Sequence, residues 1–198
     1  MQIQDQQPKF EFEMKLVLPQ SRVAPVKAFL RALCREDRAF PANTVASIYF
    51  DTRHLEFLHA KLNSDLLKTK VRVRWYEDSQ SRQPVGAAFA ELKYRRGLCR
   101  SKIRVQTPYS AEEIAKLSLR DPSLVQILDL LQSRESRDLS LLDALLEVRY
   151  ERLRFFEPIS GSRISLDSQI GLGRVQTDLL PHTNRRKLGQ AVIEVKNR

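Results

Sequence analysis

Residues 68–76 read KTKVRVRWY. Lys68, Lys70, Arg72 and Arg74 fall on one parity, and Val71, Val73 and Trp75 on the other. Successive side chains of a strand point to opposite faces, so the stretch predicts a strand that is cationic on one side and apolar on the other. Residues 10–18 (FEFEMKLVL) repeat the division: Glu11, Glu13 and Lys15 share one face, and Phe10, Phe12, Met14 and Leu16 take the opposite one. The pattern returns in Glu91/Lys93/Arg95, Arg100/Lys102/Arg104, Arg163/Ser165/Asp167 and Glu194/Lys196. Paired into one sheet, these faces set many cations side by side, and like charges directly opposite each other destabilise a sheet. A bound polyanion relieves that repulsion, and a polyphosphate has the required charge density.

Working outward, residues 1–8 read as a loose polar lead-in and 10–18 as the first strand. Residues 21–34 predict a helix capped by Ser21, with Val23, Val26, Phe29, Leu30 and Leu33 at helical spacing. A strand over 44–51 and a short helix over 53–62, carrying Leu55, Leu58 and Leu62, come next. Strands follow at 66–76, 87–95 and 99–106, the last two joined by a tight hairpin at Arg96-Gly97. A helical insertion is expected over 108–145. Ser110 and Glu113 make a capping box, and Asp121-Pro122 starts a second helix with Val125, Ile127, Leu128 and Leu131 as its apolar stripe. A third helix is expected near 139–145. Strands at 146–156, 163–167, 170–176 and 190–196 complete the chain, with a turn at 158–161.

Many two-faced strands interrupted by one helical block predict an α+β fold built on a closed or strongly curved antiparallel sheet, a β-barrel tunnel. The positive bias of the polar faces inverts the usual arrangement. Ionic faces line a water-filled tunnel, and helices pack on the apolar outside.

The 198 residues suit a single domain over 1–198. A net charge of +10 points to nucleic acid, an anionic membrane surface or phosphorylated small molecules. One tryptophan and no aromatic-rich strand disfavour a single-strand nucleic-acid binder, which needs stacking platforms. Cys34 and Cys99 have no metal-ligand spacing and read as reduced, packed thiols of a cytoplasmic protein. No signal peptide and no membrane span is visible, so if a membrane is involved, another chain or a missing segment supplies it. His54, His59 and His182 form no triad, and no Gly-x-x-x-x-Gly-Lys-Ser/Thr loop is present, so side chains must bind the phosphates.

Glu11 and Glu13 offer paired carboxylates of the kind that Mg²⁺ or Mn²⁺ prefers, with Lys15 placed to touch a phosphate beside the ion. A solvated strand face with a salt bridge is the alternative for this segment. Arg72 and Arg74 present planar forks for phosphate oxygens. Arg152 and Arg154 share a strand with Tyr150. Glu194 becomes a third metal ligand, with Lys196 beside it, if barrel closure brings the last strand to the first.

With these residues laid out, the chain resembles the VTC domain, the polyphosphate-polymerase branch of the triphosphate tunnel metalloenzymes, a superfamily that also holds the CYTH phosphatases. The matching strings run in order: 11–15 (EFEMK), 47–52 (SIYFDT), 72–76 (RVRWY), 89–93 (FAELK), Lys102, 150–152 (YER), 163–167 (RISLD) and 193–196 (IEVK). The resemblance implies phosphate binding by Lys15, Arg72, Arg74, Lys93, Lys102, Arg152 and Arg163, joined by Lys196. It implies Glu194 as the carboxylate for Mg²⁺ or Mn²⁺, with Glu11 and Glu13 as a rival site. Lys15, Arg72, Arg74 and Glu194 are then the catalytic set. The implied reaction moves the γ-phosphate of ATP onto a polyphosphate chain. Two alternatives stand beside it. Glu11-x-Glu13-x-Lys15 is the full signature of the CYTH-type hydrolases, which split triphosphates with water. The family's C-terminal segment, which brings a further lysine, is expected to be absent after Arg198, and this favours a non-catalytic polyphosphate sensor or scaffold.

Overall fold

The computed structural model describes residues 12–97, 99–132, 138–181 and 187–197. The strands among them are β1 (Phe12–Pro19), β2 (Arg35–Glu36), β3 (Ala42–Asp51), β4 (Leu67–Glu77), β5 (Pro84–Arg96), β6 (Cys99–Ser110), β7 (Asp143–Phe156), β8 (Arg163–Val175) and β9 (Gln190–Asn197). They form one antiparallel sheet in the order β1–β9–β8–β7–β3–β4–β5–β6, with β2 paired to the end of β7. The chain thus returns after its helical block to pair β7 with β3, and ends by laying β9 beside β1. No backbone ladder joins β1 to β6 among the described residues. Those two edges meet through side chains, where the Arg100 guanidinium of β6 donates to the Glu13 carboxylate of β1.

Apolar faces point outward and helices cover them. Ala46, Ile48, Val71, Val73, Trp75, Ala90 and Leu92 pack beneath α3 (Ala111–Lys116), α4 (Pro122–Gln126) and α5 (Asp129–Gln132). On the far half of the sheet, Leu30 of α1 (Val23–Leu33) packs on Phe155 and Leu166. The capping box forms as expected, with Ser110 Oγ accepting from the Glu113 amide. Asp121 caps α4 through the Ser123 amide, and Pro122 takes the first helical position.

Several elements differ from the sequence reading, each for a local reason. Ser21 does not cap α1; residues Gln20–Arg22 form a 3₁₀ turn and the helix starts at Val23. That start keeps Pro25 in the first turn, where its missing N–H costs no hydrogen bond. The second helix is α2 (Glu56–Leu62), shorter than expected, because Asp51 accepts the Phe57 and Leu58 amides at 2.9 Å each. It buries Phe57, while Leu58 and Leu62 are exposed. The third helix shrinks to one 3₁₀ turn, Leu139–Leu141, since Asp143 already pairs with Asp51 in the sheet. The two strands expected over 163–176 are one, which passes a left-handed Gln169 (φ 51°) without breaking. Cys99 is exposed at the start of β6 rather than packed, and Cys34 is half-buried against the α1 core. No helix among the described residues is long and apolar enough to cross a membrane.

Beneath the helical block the outer face also carries an ion network. Buried Glu147 accepts from Arg149 and Arg174, and Arg149 reaches buried Glu77 at 3.0 Å. A Cβ on Gly173 would lie 2.7 Å from Glu147 Oε1. The carboxylate cannot retreat without loosening both arginines. Gly173→Ala is therefore expected to destabilise the fold by about 1–3 kcal/mol, read as a lowered Tm in a thermal melt. An unchanged Tm would show that this network yields freely.

Candidate functional site

On the concave face, the register of β4, β5 and β6 arranges charges in rows. Arg72 lies opposite Glu91, and Glu91 opposite Arg104. One step along, Lys70, Lys93 and Lys102 lie side by side, and beyond them Lys68, Arg95 and Arg100. Directly opposite residues sit about 4.5–5.5 Å apart at Cβ, so the two all-cationic rows are repulsive when empty.

The row at Glu91 is instead held together. Arg72 donates to Glu91 Oε2 through Nε at 2.6 Å and through Nη2. Its Nη1 donates to Tyr49 Oη at 3.2 Å. Arg74 is fixed by neutral acceptors, Ser47 Oγ at 3.0 Å and Tyr150 Oη at 3.2 Å. Arg104 stacks on the Phe89 ring at 3.7 Å. Burial works against the Glu91 charge, but Arg72, Arg74 and Lys102 outweigh it and hold the carboxyl far below the usual range. Lys93 is in the opposite situation. Burial, then the Arg72 charge, push its ammonium down to about 7, and the attraction of Glu91 does not compensate.

The facing wall comes from β7, β8, β9 and β1. Arg152 grips Asp167 with two bonds of 2.6 Å and lies 3.6 Å from Glu194. Glu194 lies opposite Lys15 in the register and 3.2 Å from its Nζ, with Lys196 at 3.6 Å. Lys15 also meets Glu13 at 3.1 Å. Burial opposes ionisation of Glu194, but the charges of Lys196, Lys15 and Arg152 keep its carboxyl below the usual range.

The structure thus gathers Lys15, Glu13, Glu194, Arg152 and Lys196 on one wall, and Arg72, Arg74, Lys93 and Lys102 on the other. Arg163 shares the parity of Asp167 but stands exposed at the start of β8, opposite Lys196. Glu11 lies outside the described residues, as do the lead-in and His182. His54 and His59 are exposed. Sequence reasoning gave no site role to Glu91, Arg104, Ser47, Tyr49, Tyr150 or Asp167. The shared parity of Tyr49 with Ser47, and of Tyr150 with Arg152, was the available signal.

Glu13 and Glu194 are chemically suited to a divalent ion. Both carboxylates already converge on one cation, the Lys15 ammonium. Mg²⁺ needs one or two carboxylates, with phosphate oxygens and water filling the octahedron. Among the described residues no group of three metal-ligating side chains occurs, so a substrate phosphate would have to complete the set.

Comparison with known proteins agrees with this fold. The family model described as the VTC domain matches residues 10–198. No curated protein matches the chain. Among solved structures, a Bacillus halodurans protein provisionally named an adenylate cyclase superposes with a TM-score of 0.55 at 14% identity, over 96% of this chain and 81% of its own. A Vibrio parahaemolyticus protein of the same provisional name gives 0.49 at 12% identity, over 97% of this chain and 78% of its own. At such identity the first likeness speaks for the tunnel fold alone.

Proposed function

The chain belongs to the VTC domain family and has its triphosphate tunnel fold, and from that premise we propose that it binds ATP and polyphosphate in the tunnel and transfers the γ-phosphate of ATP onto the polyphosphate chain. The observation that carries this reading is the pair of facing cationic walls. One holds Arg72, Arg74, Lys93, Lys102 and Arg104, and the other Lys15, Arg152 and Lys196. Phosphoryl transfer requires mainly positioning and electrostatic stabilisation, which fixed cations supply. Arg74, hydrogen-bonded to neutral acceptors and 3.9 Å from Glu91, keeps most of its charge for a phosphate oxygen. Arg152, locked on Asp167, presents its remaining surface toward Glu194 and the lumen. Glu13 and Glu194 would hold Mg²⁺ or Mn²⁺, which supplies charge neutralisation on the phosphate oxygens.

A second reading, hydrolysis of a triphosphate by water, is favoured by the Glu11-x-Glu13-x-Lys15 signature of the hydrolases, of which Glu13 and Lys15 meet at 3.1 Å. The test is incubation with ATP and Mn²⁺ followed by separate assays for polyphosphate and free phosphate. Polyphosphate supports transfer, and free phosphate alone supports hydrolysis. Neither product, with tripolyphosphate still bound, reduces the protein to a polyphosphate-binding module.

Binding should also be proton-linked. Below about pH 7 Lys93 is an ammonium, and above it the empty tunnel holds a neutral amine. A bound polyanion favours the charged form, so binding takes up a proton and weakens as pH rises. Affinity for tripolyphosphate should fall about tenfold between about pH 6 and pH 8 through this group. Lys93→Arg, permanently charged, should flatten that part of the profile. Calorimetry in buffers of different ionisation heat checks this, the variant cancelling the ligand's own protons. Equal proton uptake by parent and variant would refute it.

A further inference from the structure

Glu91 is a carboxylate in the middle of a wall that has to hold phosphates. Solvent reaches 0% of it, yet it faces the lumen, while its neighbours Ala90 and Leu92 face the helix-covered core. Its two oxygens divide their partners by strand. Oε2 takes Arg72 and, at 3.9 Å, Arg74, both from β4. Oε1 takes Lys102 at 2.9 Å and Arg104 at 3.7 Å, both from β6. Oε1 accepts no aligned hydrogen bond, so charge rather than bonding geometry holds that side. The next row, Lys70–Lys93–Lys102, has no such carboxylate.

A carboxylate bridging cations from two flanking strands does what a phosphate group would do between the same side chains. We propose that Glu91 is a resident anion, standing in for a phosphate in the empty tunnel. It holds Arg72, Arg74, Lys102 and Arg104 at phosphate-binding spacing. It also subtracts one charge from the wall, which moderates affinity so that a polyanion can move on rather than remain clamped. Glu91 is thereby a positioning and specificity-determining residue. The proposal rests on the reading of the tunnel as a polyphosphate site.

Two substitutions separate charge from shape. Glu91→Gln keeps the shape and removes the charge. Glu91→Asp keeps the charge on a shorter arm. The readouts are calorimetric binding of inorganic tripolyphosphate at several salt concentrations, and thermal melts with and without it. For Glu91→Gln the expected results are a lower Tm when empty, a larger Tm rise with ligand, and binding about tenfold tighter with a steeper salt dependence. Glu91→Asp should bind as the parent does. A purely structural carboxylate predicts the reverse, with Gln milder than Asp. If Glu91→Gln does not fold alone, it should refold in tripolyphosphate and not in sodium chloride of equal ionic strength; failure to refold overturns the proposal. Binding by the parent with no gain in Glu91→Gln refutes the resident anion alone. No binding by either protein refutes the polyphosphate reading beneath it.

Discussion

Arg74→Ala is expected to weaken tripolyphosphate binding by more than about tenfold while the protein stays folded, whereas Arg72→Ala should lose both binding and stability. The two arginines are two residues apart on one strand face, but their partners differ. Arg74 hydrogen-bonds to Ser47 and Tyr150, neutral groups that a water can satisfy once the guanidinium is gone, and approaches Glu91 only to 3.9 Å. Charge-assisted hydrogen bonds are worth about 1.5–3 kcal/mol, so losing the phosphate contact alone exceeds a factor of ten. Arg72 makes two bonds to fully buried Glu91. Removing one partner of a buried ion pair costs about 3–5 kcal/mol, and the remaining contacts of Lys102 and Arg104 place the loss at the lower end. At about 2–4 °C per kcal/mol for a chain of this size, Tm should fall by about 6–12 °C. Exposed Arg22, in the 3₁₀ turn before α1, is the control. Calorimetry and melts on all three variants decide the matter. Equal affinities for Arg74→Ala and Arg22→Ala would remove Arg74 from the site.

The difference between these arginines was not legible in the sequence, although their shared face was. Strand parity is a local property, so alternation in 68–76 already placed Lys68, Lys70, Arg72 and Arg74 together, and the helix caps at Ser110 and Asp121 were equally local. Register is not local. Nothing within β5 says that Glu91 falls opposite Arg72, because a bulge between Arg74 and Tyr76 separates that pair from the turn joining the two strands, whereas its pairing with Arg104 runs unbroken from the β5–β6 turn. On β7 parity itself was ambiguous. Glu147, Arg149 and Glu151 occupy one face, and Tyr150, Arg152 and Arg154 the other. Only pairing with β3 and β8 assigns the second set to the lumen and buries Glu147 under the helical block. Arg163 shows what parity leaves out. Its parity matches Asp167, but it begins its strand, and a correct face at a strand end leaves a side chain exposed. The meeting of Lys15 with Glu194 joins the first and last strands, and only the topology of the whole sheet produces it.

That meeting underlies the remaining expectation: Glu194→Gln should abolish metal-dependent turnover, by about a hundredfold or more, and leave metal-free binding of tripolyphosphate intact or tighter. Loss of outer-shell partners alone costs about 10- to 100-fold in metal affinity or activity, and a direct carboxylate ligand costs at least the upper end. The amide preserves shape, so packing against Ser165 and Lys15 in the ladder is retained. What disappears is the negative charge that Lys15, Lys196 and Arg152 now share. Each of the three loses one carboxylate contact, Lys15 keeping Glu13 and Arg152 keeping Asp167, so more of their charge faces phosphate oxygens, which strengthens ground-state binding. The proposal therefore predicts a split, with turnover lost and affinity kept. A merely structural glutamate predicts that both fall together with Tm. Glu13→Gln tests the rival side of the same pair. If it stops triphosphate hydrolysis, the hydrolase reading gains. If polymer synthesis survives Glu13→Gln but not Glu194→Gln, the transfer reading gains, because Glu194 then acts without a carboxylate of the hydrolase signature. Full activity in both variants, assayed at buffered free Mn²⁺, would place the metal elsewhere and leave the Glu13–Lys15–Glu194 cluster as the ionic latch between the first and last strands.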